Sequence, residues 1–160
     1  MAKARPIKEC TVTGQHSDFM NAKEWLPYRA DLLDTPAGAI KIGNAKPPFS
    51  IEIEVTEDNH IKLFFKSAGT LICSGKISNA DEKFPGFYNV ATVYRAKVRA
   101  LPSAGDPTWA DYHAARTELH EKGTKILVGW LKARLNVDFD PRYARNLFFL
   151  CAHALRDGPG

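Results

Sequence analysis

Cysteine is scarce in this chain and nowhere closely paired: Cys10, Cys73 and Cys151 are odd in number, far apart, and form no C-x-x-C. That spacing argues against a disulfide framework and against the common zinc motifs, so reduced thiols and no metal site are expected. The nearest approach to a ligand pair, Cys10 with His16, lacks the paired spacing. Long hydrophobic runs are missing too. Nothing approaches the roughly 20 apolar residues of a membrane helix, and residues 7–12 are too short and polar for a signal-peptide core, so the expected compartment is the cytosol. Neither a dinucleotide glycine fingerprint nor a nucleophile elbow is present. A phosphate loop is approached between Gly69 and Lys76, but five residues rather than four separate Gly69 from Gly75, and Ile77 stands where Ser or Thr should be. No cofactor is therefore expected.

The most informative absence is of acid. Residues 83–105 contain no Asp or Glu, while Lys83, Arg95, Lys97 and Arg99 lie among them. With a net charge of only +4 over 160 residues, this one stretch matches the whole excess. A concentrated positive field attracts phosphate or an acidic partner.

What is present fits one soluble domain. At 160 residues a chain buries on the order of two-thirds of its unfolded surface, enough for a core without staples. Residues 1–48 read as an arm with a short helix opened by Ser17 and interrupted at Pro27, with Phe19, Met20, Trp25 and Leu26 as its buriable residues. A short strand is expected over residues 39–42.

Residues 49–101 predict an antiparallel four-stranded meander. Ile51, Ile53 and Val55 alternate with Glu52 and Glu54; Ile61, Leu63 and Phe65 alternate with Lys62, Phe64 and Lys66. Placing both apolar rows on one core pairs Val55 with Ile61, Glu54 with Lys62 and Ile53 with Leu63. Asn59 then closes a three-residue loop in the left-handed region, which it tolerates well. The same logic opposes Phe65 to Leu71 and Leu63 to Cys73, with Gly69 closing a second loop of three. Tyr88, Val90, Thr92, Tyr94, Ala96 and Val98 form the inward row of a fourth strand, leaving Arg95, Lys97 and Arg99 outside. Residues 106–160 supply two helices, each started by an Asp-Pro pair, Asp106-Pro107 and Asp140-Pro141. Gly123 weakens the first, and Gly158-Pro159-Gly160 ends the second. Both helices are expected to cap one face of the sheet, giving an α+β domain.

Three functions follow as expectations. The leading one is a non-enzymatic protein whose sheet presents Lys62, Phe64, Lys66, Arg95, Lys97 and Arg99 to nucleic acid, with cations on phosphates, Phe64 against a base, and little sequence specificity. The second is an adaptor or inhibitor docking on a protein partner through Arg142, Arg145, Phe149, His153 and Arg156, with Phe149 as apolar anchor. The third is a small hydrolase or transferase using His113 and His120, which share a helical side with Arg116 in an arrangement able to hold phosphate. Self-association through an uncovered sheet edge is compatible with each.

Overall fold

The computed structural model describes residues 5–14, 25–99 and 105–156, and the side chains of all of these but Trp25 and Arg99. His16, Ser17, Phe19, Met20 and the closing Gly158-Pro159-Gly160 lie outside the described residues. The described residues form an α+β fold: a sheet of four strands with four helices, and a second, two-stranded sheet. Among the described residues no helix is long and apolar enough to cross a membrane.

The expected hairpin is present. Strand β3 (Phe49–Val55) and strand β4 (Ile61–Ser67) pair antiparallel with Val55 opposite Ile61, Glu54 opposite Lys62 and Ile53 opposite Leu63, and Asn59 has φ 60°. The next hairpin differs. Strand β5 (Thr70–Lys76) sets Ser67 opposite Thr70, Phe65 opposite Cys73 and Leu63 opposite Gly75, with an irregularity after Phe65. Ala68 and Gly69 both take positive φ, 52° and 79°, so two residues close the turn instead of three. Leu71 is turned out to solvent as a result. The inward place goes to Gly75, where an added Cβ would lie 3.0 Å from Leu135 and 3.3 Å from Trp130. The helical layer leans in where the strand has no side chain.

The sheet is not a pure antiparallel meander. Its order is β1-β3-β4-β5, and the edge strand β1 (Ile7–Gly14) runs parallel to β3. The expected arm is thus a strand, hidden in the sequence by a register shift between Ile7 and Glu9 that breaks simple alternation. Pro27 does not interrupt helix α1 (Trp25–Leu33) but sits in its first turn, where its missing amide costs no intrahelical bond. Strand β2 (Ile40–Ile42) does form, but pairs with β6 (Val137–Phe139), outside the main sheet.

The largest correction concerns the fourth strand, which is helix α2 (Phe87–Arg99). Phe87, Val90, Ala91, Tyr94 and Arg95 are buried, a stripe with helical period. Val90, Tyr94 and Val98 are spaced by four, a multiple of the strand period and close to one helical turn, so those positions satisfy both patterns. On a helix Arg95 and Lys97 diverge by about 200°. The row of cations the strand would have carried does not exist.

Helix α3 (Trp109–Trp130) starts just after Asp106-Pro107; the Asp106 carboxylate accepts from the backbone N–H of Thr108 at 2.8 Å. A π-helical segment, Leu131–Leu135, links α3 to β6 through Asn136 at φ 55°. Helix α4 (Pro141–Ala154) begins as expected, with Asp140 accepting from Arg142 N–H at 2.9 Å. Its role is different from a capping layer: residues Leu147 to Ala154 are all buried, and it packs against α1, α2 and α3. A helical stretch apolar on all sides, as its C-terminal half is, is a core element.

Candidate anion-binding cleft

The sheet's outer face carries Lys62, Phe64 and Lys66, all half-buried. Lys62 Nζ lies 5.0 Å over the Phe64 ring, and Glu54 stands opposite Lys62. Lys76 binds Asp58 at 2.6 Å. On this side Lys8, Lys62, Lys66 and Lys76 are met by Glu9, Glu52, Glu54 and Asp58. Of these four lysines, only Lys76 has an ion pair among the described residues.

Arg95 is 5% exposed. Its guanidinium donates to the carbonyls of Leu155, Ala152 (3.4 Å) and Arg156 (3.3 Å), satisfying the C-terminal end of α4 where carbonyls lack helical partners. Lys97 Nζ sits 5.1 Å over the Tyr112 ring, and the Arg99 side chain lies outside the described residues.

The expected partner face on α4 is also dispersed. Phe149 and His153 are buried, 2% and 0% exposed, with Phe149 stacked on Tyr28 of α1. Arg156 is directed at the first hairpin loop, donating to the Glu57 carbonyl at 2.8 Å; its backbone N–H donates to Asn59 Oδ1 at 2.8 Å, while Asn59 Nδ2 donates back to its carbonyl at 3.0 Å. Arg142 binds Asp140 at 2.8 Å. Arg145 alone of the five is exposed and has no ion pair among the described residues.

Arg145 instead joins a cleft of about 480 Å³ between α3 and the first turns of α4. Arg116, His120, Thr124 and Lys125 come from α3; Pro141, Arg142 and Arg145 come from α4. Glu121 is the one carboxylate on its walls, against Arg116, Lys125, Arg142 and Arg145. With Arg142 paired to Asp140, the remaining cations Arg116, Lys125 and Arg145 still outnumber Glu121. Thr124 is 5% exposed, and its buried Oγ1 has no hydrogen-bond partner among the described residues.

His120 forms the inner wall. Its Nε2 donates to the Arg145 carbonyl at 2.8 Å, which leaves Nδ1 to accept from the Tyr94 hydroxyl at 3.4 Å. Burial, aided by the charges of Arg145 and Arg116, holds the imidazole pKa below its ordinary value, while burial pushes the Tyr94 hydroxyl up. His120 is thus a neutral ring with both nitrogens engaged. His113 lies outside the cleft, with Nδ1 3.0 Å from Arg116 Nη2. The thiols are held protonated by burial: Cys10 is pushed up to about 12 and Cys151 also well up. No group of three or more potential metal ligands gathers among the described residues.

A pH effect follows from His120. The unfolded histidine titrates near 6.5, whereas the folded one titrates lower, so between those values the unfolded state binds more protons. Stability should be full above about pH 6.5 and fall as pH drops toward the folded value. Urea midpoints measured from pH 7.5 to 5 should decline more steeply for wild type than for His120→Gln, a comparison that separates His120 from the buried His153. Parallel slopes would count against the assignment.

No protein-family model, curated protein or solved structure matches this chain. Of the cleft residues, the sequence picked out Arg116 and His120 on one helix and Arg142 and Arg145 on another, without joining them. Thr124 and Lys125 were missed; nothing in the pattern distinguishes them from other polar residues of α3.

Proposed function

We propose that this chain is a non-enzymatic binding protein that takes nucleic acid by its phosphates in the α3–α4 cleft, with little sequence preference. One observation carries the reading: Arg116, Lys125 and Arg145 converge on one cleft without an ion pair among the described residues. Rigid helices present the cations, and phosphate contact of this kind carries no sequence information. The outer sheet face has lysines as well, but Glu52, Glu54 and Asp58 stand among them. The engaged nitrogens of His120 speak for a wall rather than a general base.

Binding of labelled DNA and RNA by fluorescence anisotropy at about 50 and about 200 mM salt tests this; three phosphate contacts correspond to about a twentyfold to fortyfold loss of affinity over that range. The double variant Lys125→Glu/Arg145→Glu should lose most of the binding at either salt. Lys62→Glu/Lys66→Glu on the sheet should retain it. An absence of binding at the lower salt, or an equal loss in the sheet variant, would overturn the proposal.

A further inference from the structure

Along α3 the cleft continues into aromatic surface. Trp109, His113, Arg116, His120 and Thr124 follow one another at three- and four-residue steps and so share a side of the helix. The Trp109 indole stacks on the His113 imidazole with centroids 4.7 Å apart and planes 7° from parallel. His113 Nδ1 in turn meets Arg116 Nη2 at 3.0 Å, and Arg116 is a wall of the cleft. Ring stack and phosphate site are therefore one connected surface. Tyr112 flanks it at 37% exposure with Lys97 Nζ 5.1 Å above its ring, adding a second aromatic and another cation.

Of the three carboxylates of α3 before Lys125, Glu121 lines the cleft and the other two are placed elsewhere. Asp111 and Glu118 precede His113 and His120 by two residues each, about 200° of helical rotation, on the far side of α3. From Trp109 to Lys125 the surface extends about 24 Å, a length suited to several nucleotides. In a duplex the base faces are consumed by stacking on one another, so its phosphates could enter the cleft while the rings gained nothing. A strand with unpaired bases can use both parts.

We propose that the nucleic acid held in the cleft is single-stranded, its bases stacking on Trp109 and Tyr112 while Arg116, Lys125 and Arg145 carry its phosphates. This deepens the proposed function and rests on it. Affinity is to be measured for a single-stranded oligonucleotide and for a hairpin duplex of the same length, with wild type, Trp109→Ala/Tyr112→Ala, Trp109→Phe/Tyr112→Phe and Lys125→Glu/Arg145→Glu. Removing the two rings should weaken single-strand binding about tenfold or more and leave duplex binding unchanged, since each stacked base contributes about fivefold or more. The Phe variant keeps the rings and should bind as wild type, which separates loss of stacking from loss of fold. If the charge variant fails while the Ala variant keeps its single-strand affinity, or loses single-strand and duplex binding equally, the cleft remains a phosphate site and the stacking proposal falls. If wild type binds neither nucleic acid, both fall.

Discussion

Replacing Phe149 with Ala should cost about 3–5 kcal/mol, the usual loss when a buried phenyl ring is truncated. The ring is 2% exposed and has Tyr28 against one side, with centroids 3.4 Å apart and planes 10° from parallel. His153 stacks on it at 4.1 Å, and Tyr94 meets it edge-on at 6.2 Å. Phe149 thus joins α1, α2 and α4 at a single point. The loss should appear as a lower urea midpoint, and amide exchange in α1 should rise most, because Tyr28 loses its stacking partner. An exposed partner-binding anchor would behave oppositely, changing stability by no more than about 0.5 kcal/mol. A near-unchanged midpoint would therefore reinstate the adaptor surface and refute the packing.

Gly123→Ala should destabilise despite the better helix propensity of alanine. Propensity alone favours Ala by about 1 kcal/mol within a helix. A methyl at this position, however, would overlap the Phe148 ring, with Cε1 only 2.7 Å away. That ring is fully buried and has Phe87 at 5.8 Å, His120 at 5.6 Å and Tyr94 at 5.5 Å around it, so it has no room to retreat. Overpacking of this kind costs about 1–3 kcal/mol or more, which outweighs the propensity gain. The glycine lets α3 and α4 approach closely, and so narrows the floor of the cleft. Chemical denaturation of Gly123→Ala, Phe148→Leu and the double variant should show strong non-additivity, the alanine being tolerated better beside the smaller side chain. A stabilised single variant would mean that the ring does not lie over Gly123.

How much of this was legible depends on whether a pattern had one solution. Ile51 to Phe65 alternates so strictly that a single register buries the apolar rows, and the β3–β4 hairpin takes it. Asp140-Pro141 is an equally local signal and caps α4 as expected. Residues 87–99 had two solutions, because apolar side chains four apart fit strand and helix alike, and the alternating row from Tyr88 to Val98 read as a strand. From 147 to 155 His153 is the only polar side chain, a sign of burial on all sides that the arginines at 142, 145 and 156 obscured. The cleft was legible least. Its cations come from two helices separated by β6 and the π-helical segment, brought together by long-range packing such as that of Gly123 against Phe148 and by the His120–Arg145 hydrogen bond.

The burial of the C-terminal half of α4 on every side bears on how the chain acquires its shape during synthesis. Of the described elements α4 is made last, yet α1, α2 and α3 all pack on it, and the segment beyond it is bonded to Arg95 and Asn59. A nascent chain therefore carries its earlier helices without their common support until α4 has been made, their apolar sides open to unproductive association in the meantime.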